Sequence, residues 1–144
     1  MADNNTLRAQ ISSLRQSFFD EGMLDDHYVQ LEELEAEDNP HFCEEVMTMF
    51  LRDCTKLIAT LERSVHEPEF DPQQIDQYLH QLKGSSSSVG AAKVWSEVNI
   101  LREILKADGD YARFRDHLAQ LKVEHQKLEA NLEPYFQMLR QLDP

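Results

Sequence analysis

Apolar side chains recur in steps of three and four residues along nearly the whole chain, which is the spacing of amphipathic helices. Four glycines and five prolines interrupt the 144 residues. An all-β fold would need a turn signal roughly every 8–12 residues, and this chain has too few. The pattern therefore predicts an all-α protein, with one compact domain around a single core.

Capping and helix-breaking residues divide this pattern into helices. The first ends near Gly22, and a short second helix follows it. The third is expected to begin with Pro40 in its first position, where the missing N–H costs nothing. The fourth runs from about Gln73 to Val89, and Gly90 closes it.

Two more helices complete the series. The fifth carries apolar residues from Val94 to Leu105, and the sixth carries them from Phe114 to Leu139. Pro134 is expected to kink or break the sixth helix. We predict an up-down four-helix bundle over residues 37–144. We expect residues 1–36 to form an N-terminal helical extension of two additional helices packed on its side, within a single compact domain overall.

The charge balance limits the classes of partner. Lys and Arg total 14 against 27 Asp and Glu, a formal net charge of −13. This field repels nucleic-acid phosphates and anionic lipid head groups, so we expect no nucleic acid and no membrane partner. The first residues lack the apolar core of a signal peptide, and no run of about 18 apolar residues occurs. We therefore expect a soluble, intracellular protein.

The cysteines and most of the histidines have structural interpretations. Cys43 and Cys54 lie eleven residues apart, about 16 Å along one helix, so they cannot bridge and are expected to be buried thiols. His125 is in phase with the apolar stripe of the sixth helix and is expected to be a hydrogen-bonded core histidine. No histidine has Glu three residues before it, so no di-metal site and no other metal site is predicted.

His80 differs from these histidines. The apolar stripe of the fourth helix includes Leu79, Leu82 and Ser86, and His80 lies roughly 140° from its centre. Gly84 and the four serines after it cost together roughly 2–3 kcal/mol of helix propensity. Small residues at this position suit a partner that approaches the backbone beside the histidine. The alternative is that residues 84–88 are a flexible linker, although Ser86 and Val89 keep the helical phase.

An exposed imidazole has a specific chemical use. It is largely neutral at cytosolic pH, and its nitrogen lone pair can attack a phosphoryl group. Lys83 can offset the charge of the resulting phosphate, and Asp76 could accept a ring N–H and hold the imidazole. Phosphoryl transfer usually needs Mg²⁺ and fixed cations, and no set of metal ligands accompanies His80. This pattern therefore indicates a carrier, and another protein would supply the metal ion and the further cations.

The segment HQLKGSSSSVGA at 80–91 closely resembles the phosphorylation motif of histidine-containing phosphotransfer (HPt) proteins, and the plant-type form is most similar. FDEGMLD at 19–25, QLE at 30–32 and NPHFCEEV at 39–46 resemble the N-terminal extension and first bundle helix of that form. The resemblance covers essentially the whole chain. Trp95-Ser96-Glu97-Val98 and Pro134 depart from the family pattern.

The resemblance implies a phosphorelay intermediate. It would accept a phosphoryl group from a receiver-domain aspartate of a hybrid histidine kinase and pass it to a response-regulator receiver, in cytokinin signalling in plant-type members. It would have no kinase activity and no cofactor of its own, with Mg²⁺ on the partner receiver. We expect a monomer in the cytoplasm and nucleus.

The resemblance also implies roles for individual residues. His80 matches the phosphoryl acceptor and donor, Lys83 the phosphate-stabilising lysine, and Gly84 the small residue that lets the receiver dock. The motif histidine is present, unlike in the pseudo-HPt form. The further docking candidates around these residues are Asp76, Gln77, Gln81 and Ser87.

Two other classes of function remain open from the residues alone. A helical adaptor would bind receivers or partner helices without carrying phosphate, and nothing in the bundle pattern separates it from a carrier. A nucleic-acid-binding helical module is disfavoured by the net charge.

Overall fold

The computed structural model describes residues 3–35, 38–66, 71–107 and 110–142, which fold into α-helices joined by short turns. The predicted all-α fold is confirmed. In chain order the helices are α1 (Asp3–Asp20), α2 (Asp26–Glu33), α3 (Phe42–Ser64), α4 (Pro72–Val89), α5 (Ala92–Ala107) and α6 (Tyr111–Leu142).

Helices α3 to α6 form an up-down four-helix bundle. Each packs against its neighbours in chain order, and α6 closes the ring against α3. Among the described residues, the diagonal pair α4 and α6 makes no close backbone contact. One continuous apolar core fills the bundle, and α4 contributes Ile75, Leu79, Leu82 and Val89 to it.

The two N-terminal helices lie against this bundle. Helix α1 packs along α6, and α2 packs against α3 and α4. The rings of Phe18 and Tyr135 join α1 to α6, edge to face at 5.3 Å between centroids. The predicted boundary between residues 36 and 37 lies outside the described residues, so the division into extension and bundle stays a prediction.

The ends of α4 follow the local sequence. Asp71 is the N-cap, and its carboxylate accepts hydrogen bonds from the backbone N–H groups of Gln73 and Gln74. Pro72 occupies the first turn, and Gly90 ends the helix in the left-handed region with φ of +78°. Gly22 likewise has a positive φ, +72°, after α1. The predicted helix ends at Gly22 and Gly90 are confirmed, and α4 starts one residue before the predicted Gln73.

The predicted start of α3 at Pro40 is wrong. The helix begins at Phe42, and the N-cap residue His41 has φ −108° and ψ 19°, which is not helical. His41 makes no side-chain cap. Instead, the Glu35 carboxylate accepts a hydrogen bond from the Cys43 N–H at 3.3 Å. A residue that follows α2 thus supplies the cap that the local sequence does not.

Pro134 does not break α6, because the helix continues through this residue, while the alternative of a kink stays a prediction. Pro134 removes one backbone donor, which weakens the helix locally. Leu132, Tyr135 and Phe136 are buried on either side of it and pack into the core. Burial of three large apolar side chains, each worth about 1.5–3 kcal/mol, offsets the lost hydrogen bond.

The buried groups predicted from the sequence lie where expected. Cys43 and Cys54 are free and buried. His125 is 4% exposed, and its Nε2–H donates to the Leu51 carbonyl oxygen at 3.0 Å. It is therefore the hydrogen-bonded core histidine that the helical phase predicts. In the part of the chain that the structure describes, no helix is both long and apolar enough to cross a membrane.

Candidate functional site

Helix α4 presents His80 on its outer face, as the helical wheel predicts. Leu79, Leu82 and Ser86 are fully buried on the inner side, whereas His80 is exposed. The helix is continuous from Pro72 to Val89, so the linker alternative for residues 84–88 is wrong. The backbone of His80 is therefore fixed by a helix that packs on the core, and the side chain points away from it.

The serine run is helical, and the hydroxyls of Ser85, Ser86 and Ser88 donate to carbonyl oxygens of the same helix. The Ser86 hydroxyl donates to the Leu82 carbonyl oxygen at 2.7 Å, and the Ser88 hydroxyl donates to that of Gly84 at 2.9 Å. Ser85 makes a longer bond of 3.3 Å, also to Leu82. Hydroxyls that return to their own helix project little from it. The side chains one turn after His80 are consequently short and polar.

Gly84 lies in the open part of this surface. A Cβ added at Gly84 would meet no atom within 4 Å apart from the helix's own nearby backbone. The φ of this residue is not positive, because the positive-φ glycines of the described residues are Gly22 and Gly90. Neither internal packing nor backbone conformation therefore requires glycine here. The surface at Gly84 therefore has room for the approach of another molecule.

The imidazole of His80 and the ammonium of Lys83 both lack a partner within the described residues. Within the described ranges, neither side chain makes a hydrogen bond or an ion pair. His80 is exposed and Lys83 half-buried, three residues further along the same helix. A phosphoryl group on the ring would therefore project into solvent with a cation one turn away.

Asp76 does not hold the imidazole. Its carboxylate accepts a hydrogen bond from Arg102 Nε on α5 at 3.1 Å, and no contact with His80 accompanies it among the described residues. Arg102 is only 16% exposed, so packing against α5 favours this pair over the exposed pairing along α4. Sequence reasoning missed Arg102, which is 26 residues away. Only the packing of the two helices brings the groups together.

The remaining docking candidates surround His80. Gln77 and Gln81 are exposed, and Ser87 is half-buried. All of them lie on the outer arc of α4, because the inner arc is occupied by the core residues. Among the described residues, no cluster of three or more His, Cys, Asp or Glu side chains could hold a metal ion. The candidate site thus consists of one exposed imidazole, one ammonium and a polar surface that is open at Gly84.

Comparison with known proteins identifies the family of the chain. The model of the Hpt domain matches residues 45–131. Pseudo histidine-containing phosphotransfer protein 2 of rice is 37% identical over 140 residues, covering 97% of this chain and 92% of the relative. Histidine-containing phosphotransfer protein 4 of Arabidopsis thaliana is 40% identical over 117 residues, covering 81% and 91%.

Solved structures show the same fold. A histidine-containing phosphotransfer protein from Medicago truncatula superposes with a TM-score of 0.90 at 32% identity, covering 99% of this chain and 96% of that protein. One from maize gives a TM-score of 0.88 at 34% identity, covering 95% and 99%. By family model, sequence and structure, the chain belongs to the Hpt family and groups with the plant histidine-containing phosphotransfer proteins.

Proposed function

We propose that His80 is the residue through which this phosphorelay intermediate carries its phosphoryl group. The observation that supports this most directly is the unpaired, exposed imidazole beside the open surface at Gly84. The donor is a receiver-domain aspartate of a hybrid histidine kinase, and the acceptor is the receiver of a response regulator. Both receivers dock on the outer face of α4, around Gln77, Gln81, Gly84 and Ser87.

The transfer step needs little from this chain. A ring nitrogen lone pair of His80 attacks the phosphorus of the aspartyl phosphate. The P–N bond forms, and the P–O bond to the aspartate breaks with its electron pair on the departing carboxylate. The ring keeps the proton on its other nitrogen. In the second transfer a receiver aspartate attacks in turn, and the imidazole leaves.

Lys83 supports both steps. Its ammonium lies one turn from His80 and offsets the charge of the phosphoryl group while it is on the ring. Mg²⁺, which phosphoryl transfer ordinarily needs, belongs to the receiver in this proposal. The chain has no kinase activity of its own and acts as a monomeric carrier in the cytoplasm and nucleus. The pathway we propose is cytokinin signalling, as the resemblance to the plant-type form implies.

A second candidate is a receiver-binding adaptor that carries no phosphate. The names of two relatives from rice support this candidate, because they are called pseudo histidine-containing phosphotransfer proteins 2 and 5. The adaptor would use the same surface of α4 without the chemistry of His80. Binding alone therefore cannot separate the two candidates, whereas covalent labelling can.

The deciding experiment is labelling by a phosphorylated receiver in the presence of Mg²⁺. The wild type should gain an acid-labile, alkali-stable phosphate, and His80→Gln should gain none. His66→Gln is the matched control, because His66 is another exposed histidine and lies beyond α3. A wild type that binds receivers without label would establish the adaptor. Label that persists in His80→Gln would place the acceptor elsewhere.

A further inference from the structure

Trp95 is an exposed aromatic residue that the transfer chemistry does not use. It is the one tryptophan of the chain and lies on the first turns of α5. Its exposed fraction is 39%, which is high for so large an apolar side chain. Its neighbours in the sequence, Val94 and Val98, are buried in the core. Trp95 is therefore on the outward side of the helix.

The pairing of α4 with α5 places Trp95 next to the site. The two helices are antiparallel neighbours joined at Gly90 and Ala91, and the Asp76–Arg102 hydrogen bond sets their register. Seven residues are close to two helical turns and return to the same face. Seven residues onward from Asp76 is Lys83, and seven residues back from Arg102 is Trp95.

Trp95 and Lys83 consequently face each other across the α4–α5 seam. They lie about 10 Å along the helix axes from the Asp76–Arg102 pair. His80 lies on α4 between Asp76 and Lys83. The open surface around Gly84 thus continues onto α5, and the indole is its apolar border.

We propose that Trp95 is a specificity-determining contact for receiver domains, packing against an aliphatic side chain on the receiver beside its phosphoacceptor aspartate. The inference rests on the proposed function, because it extends the docking surface of α4 onto α5. A receiver that offers a polar or charged group at this point would bind more weakly.

The charges around the indole favour an uncharged partner group. Arg102 is neutralised by Asp76, whereas Lys83 has no ion pair among the described residues. A cationic receiver group at Trp95 would be repelled by Lys83. An anionic one would compete with the phosphoryl group for the same ammonium. An aliphatic side chain does neither and removes the exposed part of the indole from water.

The single tryptophan makes the contact directly measurable. The probe is a tryptophan-free receiver domain of a plant hybrid histidine kinase, chosen from a panel as the one that the wild type binds most tightly. Binding is followed through Trp95 emission excited at 295 nm and through acrylamide quenching. On saturation we expect a blue shift of the emission and a quenching constant reduced about twofold or more. Unchanged emission and quenching in a complex detected by calorimetry would overturn the proposal.

Variants separate docking from packing. Trp95→Ala should raise the Kd for this receiver about tenfold or more, as loss of an interface tryptophan commonly does, and Trp95→Phe should recover most of the affinity. Val123→Ala is the control, because Val123 is also 39% exposed and lies on α6, which makes no close backbone contact with α4 in the described residues. A purely structural Trp95 would lower the unfolding midpoint of the Ala variant and leave its Kd within twofold.

Failure of the Trp95 contact can be distinguished from failure of the carrier function. Labelling of wild type and Trp95→Ala by the phosphorylated receiver runs in parallel. If His80 is labelled while affinity and Trp95 emission are insensitive, the specificity contact is wrong and the carrier function stands. If the wild type binds with the predicted fluorescence change but gains no label, the surface is correct and the carrier function is wrong.

Discussion

Gly90 and Tyr28 lie so close together that a Cβ at position 90 would fall 2.5 Å from the Tyr28 backbone nitrogen. The contact joins the end of α4 to the first turn of α2. The Asp25 N–H also donates to the Gly90 carbonyl oxygen at 3.0 Å, and the Ala92 N–H donates to that of Met23 at 3.1 Å. The N-terminal segment therefore clamps the end of the helix that carries His80.

Gly90→Ala should destabilise the protein by about 2–4 kcal/mol. The left-handed conformation costs a non-glycine residue about 1–2 kcal/mol, and displacing the Tyr28 backbone adds a cost of similar size. Urea unfolding followed by circular dichroism measures the change. Gly22→Ala is the control, since Gly22 has a similar φ but its Cβ would come no closer than 3.7 Å to Lys93 Cε. Equal losses in both variants would mean that the Tyr28 contact is unimportant.

Substitution of Gly84 by alanine should stabilise the protein, in contrast to Gly90→Ala. Gly84→Ala places a methyl group in open space within a helix and should raise the free energy of unfolding by about 0.5–1 kcal/mol. Gly84→Gln should keep the helicity and slow phosphoryl transfer about tenfold or more, because its longer side chain occupies the docking surface. Unfolding curves and transfer rates test the two effects separately. A transfer rate in Gly84→Gln equal to that of the wild type would remove the reason for glycine at this position.

Asp76→Asn should leave phosphoryl transfer to His80 within about twofold of the wild type. Asp76 pairs with Arg102 rather than with the imidazole, and the pair is partly exposed, so its loss should cost less than about 1 kcal/mol of stability. Transfer rates and urea unfolding measure the two quantities. A tenfold drop in rate with unchanged stability would show that Asp76 acts on the histidine after all.

Stability should fall at alkaline pH because of Cys54. Burial raises the pKa of this thiol from an ordinary value of 9.0 to about 12, so the unfolded chain loses a proton that the folded chain retains. The stabilisation is fully present below about pH 9 and is lost progressively as the pH rises to about 12. The contribution of this one thiol to the slope is at most about 1.4 kcal/mol per pH unit.

Cys54→Ala tests this assignment by the slope rather than by the absolute stability. The variant should unfold more easily at every pH, because it leaves a cavity, yet its stability should depend less steeply on pH above 9. Some slope should remain, since burial also raises the pKa values of Cys43 and Tyr135 to about 12. Identical slopes in the two proteins would show that the thiol does not contribute.

The course of α4 could be predicted from local sequence. Asp71 and Pro72 begin it, Gly90 ends it, and the phase of Leu79, Leu82 and Ser86 decides which side His80 faces. Each of these effects acts within one or two helical turns. The errors arose where distant groups intervene. Glu35 caps the start of α3 in place of a local side chain, and packing of Tyr135 and Phe136 carries α6 past Pro134.

The sequence by itself determined the candidate acceptor and its exposure, because helical periodicity separates His80 from the core whatever the rest of the chain does. Only the tertiary structure decided what stands beside it. Asp76 pairs with Arg102 on another helix, and from that register we infer that Trp95 lies across from Lys83. These pairings follow from how α4 and α5 pack, since a sequence separation of 26 residues carries no information about distance until the helices meet.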